Sequence, residues 1–305
     1  MNWAPIVLFT YNRPGHTRRA LEALAGNDGA SESDLIVYSD GPKTAADAES
    51  VREVREYLST VSGFRSVTVT ERETNFGLAS SVITGVTEVL GRTPSVVVME
   101  DDLLTSRNFL SFVNAALATY EPRPEIFSVT GYNYPLRIPS SYREDAYLSY
   151  RSSSWGWGTW ADRWSQVDWA VSDYSEFVRD DQAQELFARG GDDLQRMLEM
   201  QMAGELDSWS IRFDYAHYKH DAFCVHPVVS KVQNFGFDGS GIHCDYSDDY
   251  DVELDPGDRP FHLNPDLALD AGVLRAFDRK FRPRPGPTRL RSGRRIIRRL
   301  ARLAH

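Results

Sequence analysis

The sequence predicts an α/β fold: a wound, mostly parallel sheet flanked by helices, with a less regular second half. Three observations predict it. Four short apolar runs, at residues 6–9, 35–38, 67–70 and 96–99, have the length of buried strands, and a helix-period segment follows each one. Four such alternations within about 120 residues need crossovers, and right-handed crossovers wind a parallel sheet. The fourth run ends abruptly in Glu100-Asp101-Asp102. Three carboxylates cannot sit inside a buried sheet, so they emerge at its carboxyl end, where open α/β sheets place ligands.

Each element has its own signal. The first strand, 6–9, leads into Tyr11-Asn12-Arg13-Pro14-Gly15, read as a turn, and then a helix with Ala20, Leu21 and Leu24 on one face. The second strand ends in Ser39-Asp40-Gly41-Pro42, and the charged stretch 45–58 suits a surface helix with Val51, Val54 and Leu58 inward. After the third strand, Asn75-Phe76-Gly77 forms a loop before a helix with Leu78, Val82, Val86, Val89 and Leu90 at helical spacing. Beyond the acidic triplet, Thr105 or Ser106 can cap a helix whose apolar face is Phe109, Phe112, Val113, Ala116 and Leu117, and Pro122 and Pro124 stop it. The pattern divides the chain at 1–125, 126–274 and 275–305, with no internal repeat.

Composition bounds the function. With 305 residues, 41% hydrophobic and 26% charged, this is ordinary globular material, while 12% aromatics and seven Trp favour a flat polar ligand such as a sugar. Cys224 and Cys244 are the only cysteines, which excludes a disulfide framework or a Cys-based zinc site and fits a reducing cytosol. A strand-like run from Ala4 leaves no room for a signal peptide, and no stretch has the length of a membrane span, so a cytoplasmic location is expected.

The net charge of −10 hides an asymmetry, since residues 275–305 hold 12 Lys/Arg and one acid. The acidic body argues against nucleic acid as the main ligand. In the tail, Ile296, Ile297, Leu300 and Leu303 share a helical face among Arg294, Arg295, Arg298, Arg299 and Arg302, a pattern suited to an anionic membrane surface. Peripheral attachment to the inner face of the cell membrane is the expectation for it.

Adjacent carboxylates at one backbone corner suit a hard divalent cation, Mn²⁺ or Mg²⁺, and can also orient a ribose hydroxyl. Asp40 leaves its strand at the same edge and can accept from a base or ribose, while Thr10, Asn12 and Arg13 leave the first strand there. Asn75 and Gly77 let backbone approach a ligand. No Gly-x-Gly-x-x-Gly and no P-loop occurs, so phosphate is expected to be held through a metal. Trp155 and Trp157 alternate with glycines and, with Trp209, are candidates to stack on a sugar acceptor. Asp207, two residues before Trp209, is a candidate base or a helix cap. Phe235-Gly236-Phe237-Asp238-Gly239-Ser240-Gly241-Ile242-His243 reads as a closing loop, with Ser240 and His243 as candidates for the nucleotide-sugar.

In their order, the motifs at 5–13, 38–40, 96–102, 156–157, 206–209 and 227–243 resemble the GT-A glycosyltransferases, and in detail the N-acetylglucosaminyltransferase I family. The resemblance covers roughly residues 4–245. It implies that Asp102 ligates Mn²⁺, that Asp101 holds the nucleotide-sugar with Glu100 shaping the site, and that Asp40 contacts uracil. It likewise implies that Arg13 is the family's early arginine, that Asp207 is its catalytic base, and that 235–243 is its closing loop. A His that the family places before the triplet has no counterpart near Ser80, Ser81 and Val82. The Golgi members' anchor and stem have none before Ala4, which implies a bacterial cytoplasmic relative.

The expected reaction is therefore an inverting, metal-dependent transfer of a hexosyl or N-acetylhexosaminyl group. It runs from a nucleoside diphosphate sugar, UDP-linked, to a hydroxyl of a glycan or lipid-linked saccharide. Two alternatives stand beside it. A sugar nucleotidyltransferase uses the same sheet and metal, and a non-catalytic glycan-binding or scaffold protein uses the Trp cluster alone.

Overall fold

The computed structural model describes residues 3–237, 249–258 and 260–281. The four predicted strands form as β1 (Ile6–Thr10), β2 (Asp34–Ser39), β3 (Ser66–Glu71) and β4 (Ser95–Glu100). Between them run α1 (Pro14–Ala25), α2 (Ala48–Leu58) and α3 (Leu78–Leu90). Their predicted inward residues are buried, among them Leu21 and Leu24, Val51 and Val54, and Val82 and Val86. Pro14 and Gly15, read as turn, are instead the first residues of α1. Proline is pre-set for that position, because its fixed φ is helical and its missing N–H has no helical partner to lose.

A short strand absent from the expectation, β5 (Leu103–Thr105), separates the acidic triplet from α4 (Phe109–Tyr120). The α4 helix consequently starts at Phe109, beyond the caps proposed at Thr105 and Ser106, and Asn108 stands at its N-cap without a side-chain cap bond.

The second half supplies β6 (Ile126–Thr130), β7 (Ala146–Ser149), β8 (Trp157–Trp160), α5 (Ala161–Trp164), α6 (Tyr174–Phe177), α7 (Asp181–Phe187) and α8 (Asp193–Met202). It continues with α9 (Trp209–Lys219), β9 (Phe223–Pro227), β10 (Val232–Asn234) and α10 (Ala271–Phe281).

Eight strands join in the order β3-β2-β1-β4-β8-β6-β9-β7, and β5 pairs separately with β10. The first four are mutually parallel. β8 runs against β4 and β6, β9 lies parallel to β6, and β7 runs against β9. One sheet thus extends through both halves of the chain, as an α/β fold of the expected class.

Strand alternation builds a core on each side of this sheet. Ile6, Leu8, Val97 and Met99 face one cluster, with α1 and α4, while Val7, Phe9, Val96 and Val98 face another, with α3 and α9. A third cluster ties α6, α7, α8 and α9 together around Phe187, Leu198 and Ile211. Residues 275–281, expected as the start of a basic tail, belong to α10, and Phe277 is buried in the main core. Residues 282–305, which carry the proposed membrane-binding face, lie outside the described residues. Among the described residues, no helix is long and apolar enough to cross a membrane.

Candidate active site

The carboxyl ends of β1, β2 and β4 bring the predicted donor residues to one edge. Because β1 lies between β2 and β4, Thr10 and Arg13 stand between Asp40 on one side and the acidic triplet on the other. Glu100, Asp101 and Asp102 are all buried, at 6%, 4% and 9% exposure. Arg13 supplies their counter-charge, with Nη2 at 2.5 Å from Asp101 Oδ1 and 3.0 Å from Asp102 Oδ2. Burial, with the Asp102 and Asp101 carboxylates beside it, pushes Glu100 well above the usual carboxylate range. Burial also raises Asp101, against the opposing pull of Arg13.

Two buried carboxylate oxygens at this corner, Glu100 Oε1 and Asp102 Oδ1, have no hydrogen-bond partner, and neither does Thr10 Oγ1. An unpaired buried carboxylate oxygen is costly, so a cation or a donor from a ligand belongs there. Among the described residues no three His, Cys, Asp or Glu side chains gather to hold a metal. The corner therefore offers a divalent cation at most the two unpartnered oxygens of Glu100 and Asp102, an arrangement that suits Mg²⁺-like ions sharing their coordination with substrate phosphates and water.

The pairing of β5 with β10 determines what covers Asp102. Asn234 sits opposite Leu103, and the chain then turns so that the Phe235 N–H donates to the Asp102 carbonyl at 3.0 Å. Phe235 is held by His16, stacked at 5.0 Å, and by the Arg19 guanidinium, 4.2 Å from its ring centroid. At Gly236 the approach is so close that a Cβ would lie 2.3 Å from Asp102 Oδ2. The start of the predicted closing loop thus rests on the predicted metal ligand. Ser240 and His243 lie outside the described residues.

On the other side of β1, Asp40 is a backbone clamp. Its carboxylate accepts from the N–H groups of Gly41 (3.1 Å), Phe76 (2.9 and 3.0 Å) and Gly77 (3.1 Å). Asn75 Nδ2 donates to the Gly41 carbonyl at 3.0 Å. Gly77, with φ +75° and ψ 158°, takes a conformation open to glycine and starts α3. Asn12 is engaged by Asp47, at 3.0 Å. Asp40, Asn75 and Gly77 therefore build the edge of the site chiefly through backbone, where the sequence suggested direct ligand contacts.

Asp207 stands just ahead of α9. It precedes Ser208, which caps α9 by accepting from the Ile211 N–H, so the capping role considered for Asp207 belongs to its neighbour. Trp209 stacks on Trp157 at 4.7 Å, and Trp157 pairs with Val98, two residues before Glu100. The Asp207 side chain is 67% exposed, with Arg212 Nη2 at 3.4 Å.

The three tryptophans are a correction. Trp155, Trp157 and Trp209 are 4%, 1% and 1% exposed. Trp157 is sandwiched between Trp164 and Trp209, and Trp155 packs edge-on against Tyr132 at 4.4 Å. Their faces are spent on the core, leaving none for a sugar, and their role is to anchor α9 and the 153–160 segment to the sheet.

A search of curated proteins finds no match. Among solved structures the chain is similar to the mannosyltransferase PcManGT from Pyrobaculum calidifontis in complex with GDP-Man and Mn²⁺ (19% identity, 43% of this chain and 35% of that one, TM-score 0.32). It is also similar to S. aureus TarS (12% identity, 75% and 36%, TM-score 0.42) and to mouse xyloside xylosyltransferase 1, apo form (10% identity, 72% and 82%, TM-score 0.37). The chain spans about a third of the length of the first two of these. Residues 6–157 match the family described as Glycosyl transferase family 2. That span runs from β1 through the acidic corner to the first residue of β8, and the segment that builds this edge is a Glycosyl transferase family 2 domain.

Proposed function

We propose that the chain is a glycosyltransferase that takes a sugar from a nucleoside diphosphate donor, UDP-linked, and passes it with inversion to a hydroxyl of a glycan or lipid-linked saccharide. One observation carries this reading: the buried acidic corner at the carboxyl edge, with Asp102 Oδ1 orphaned and the Gly236 backbone closed against the same carboxylate. Asp102 would hold Mn²⁺ or Mg²⁺ through that oxygen, jointly with the donor diphosphate. The cation, when bound, offsets the negative charge that develops on the departing diphosphate.

The chain's own groups divide the rest of the work. Asp101, tied to Arg13, orients the nucleotide-sugar, and the Asp40 clamp shapes the base end. Asp207 takes the proton from the acceptor hydroxyl as that oxygen attacks the anomeric carbon. The bond to the diphosphate oxygen breaks on the opposite face, and its electrons leave with the diphosphate. Residues 1–125 thus serve the donor and 126–274 the acceptor. The order of motifs supports an N-acetylglucosaminyltransferase I-like member of this fold.

A thermal-shift panel of nucleoside diphosphates and their sugars, UDP-N-acetylglucosamine included, with and without Mn²⁺, tests the proposal. Metal-dependent stabilisation by a nucleoside diphosphate is expected, and its absence across the panel overturns the reading. Release of pyrophosphate from UTP and a sugar phosphate would identify a nucleotidyltransferase instead. Stabilisation by glycans alone would identify a glycan-binding protein.

A further inference from the structure

Phe76 is the one aromatic among the large apolar side chains that stand exposed in the described residues; at 48% it is also the most exposed of them. An exposed phenylalanine on a loose loop would mean little, but this one is held rigidly. Its N–H bonds both oxygens of the buried Asp40 carboxylate, Asn75 ties the loop to the Gly41 carbonyl, and Gly77 turns the chain directly into α3. Arg72 lies over the ring, its guanidinium carbon 4.3 Å from the centroid. That arginine is itself anchored on α3 through Ser81 and Thr84. The result is a flat apolar ring whose orientation is set before any ligand arrives.

Its position selects the ligand. The clamp hangs from the end of β2 and the acidic corner from the end of β4, with β1 between them. Neighbouring strands lie about 4.8 Å apart, so the two ends are separated by roughly 10 Å along the edge. A ligand whose diphosphate sits at Asp102 would reach Phe76 only with a ribose and base extending along that edge. Every nucleobase has a π-face, and an aromatic ring on a fixed backbone binds such a face with little ordering cost.

We infer that Phe76 is the stacking platform for the nucleobase of the donor, a binding residue that acts on the base and not on the diphosphate. This rests on the proposed use of a nucleoside diphosphate sugar. The test is calorimetric titration of full-length wild type, Phe76→Ala and Phe76→Tyr with UDP, GDP, ADP, CDP and dTDP, and with inorganic pyrophosphate, all with Mn²⁺.

For the tightest nucleoside diphosphate, Phe76→Ala should weaken binding by about 5- to 150-fold, the weight of one base stacked on an aromatic ring, and Phe76→Tyr should keep wild-type affinity. Pyrophosphate binding should be unchanged in both. Wild-type-like nucleotide affinity in Phe76→Ala, within about twofold, overturns the inference while leaving the donor reading intact. An equal loss for pyrophosphate also overturns it, because the effect would then be on the site as a whole. Failure of the wild type to bind any of the five removes the donor reading and the inference together.

Discussion

Replacing Arg13 by Met removes the only cation that touches the acidic corner in the described residues and leaves the apolar stem in place. Arg13 holds Asp101 and Asp102 at 2.5 and 3.0 Å; the three side chains are 22%, 6% and 12% exposed. Removing one partner of a buried ion pair costs about 3–5 kcal/mol, because the other charge is left uncompensated. Water reaches Arg13 from one side, which lowers the expected loss to about 2–3 kcal/mol. At roughly 2 °C per kcal/mol for a chain of this size, Tm should fall by about 4–6 °C without metal. Mn²⁺ at a hundred times its Kd returns about 2.7 kcal/mol. Since Arg13 already occupies Asp102 Oδ2 in the wild type, the Mn²⁺-induced rise in Tm should be larger in the variant. Differential scanning fluorimetry with and without Mn²⁺ reads both effects. A metal-free fall below about 1 °C would refute the electrostatic account of the corner, and an equal Mn²⁺ shift in both proteins would refute competition between Arg13 and the cation.

Asp207→Asn should abolish sugar transfer while UDP and Mn²⁺ binding persist, whereas Asp102→Ala should lose metal-dependent UDP binding; calorimetry and a transfer assay separate the two, and near-normal turnover in Asp207→Asn removes the base assignment. Gly236→Ala puts a methyl 2.3 Å from Asp102 Oδ2 and should cost about 1–3 kcal/mol of stability as overpacking, with Mn²⁺ affinity falling because the carboxylate must move; unchanged affinity would show that the contact does not shape the site. Three buried groups away from the acidic corner contribute to the pH dependence of stability: burial pushes His217 and His226 down to about 4, and pushes Asp214 up to about 6. The histidines' contribution is complete above their unfolded value of 6.5 and is lost as pH falls toward 4, while that of Asp214 is complete below 3.8 and lost as pH rises toward 6. Each depressed histidine costs about 1.4 kcal/mol of stability per pH unit on acidification between pH 6 and pH 4, so in urea unfolding the slope of stability against pH in His217→Gln should differ from that of the wild type by about that amount. An unchanged slope in the variant would refute the assignment.

Strands β1 to β4, the inward faces of α1, α2 and α3, and the emergence of Glu100, Asp101 and Asp102 at the carboxyl edge were legible residue by residue. Each depends on a local rule: a short continuous apolar run buries as a strand, a 3.6-residue period buries one helix face, and charge cannot stay inside the sheet. Pro14 was misread as turn because proline serves both a turn and the first position of a helix, and only the chain beyond it decides between them.

The remainder of the site depends on pairings distant in sequence. Arg13 meets Asp101 across 88 residues, and nothing local to either announces the other. The β5–β10 pairing lays Gly236 on Asp102, yet three-residue strands are too short to carry a readable pattern. The tryptophans looked like a sugar platform because an indole has the same composition whether it faces solvent or core; sheet register turned Trp157 inward between Trp164 and Trp209. Phe76 is the converse, an apolar residue that pattern alone assigns no role. The acidic corner was therefore determined by sequence, since desolvating three carboxylates inside a sheet costs too much in any fold. Its counter-ion, its cover and its exposed ring were decided by tertiary structure, because only strand register and loop closure determine which distant side chains share one edge.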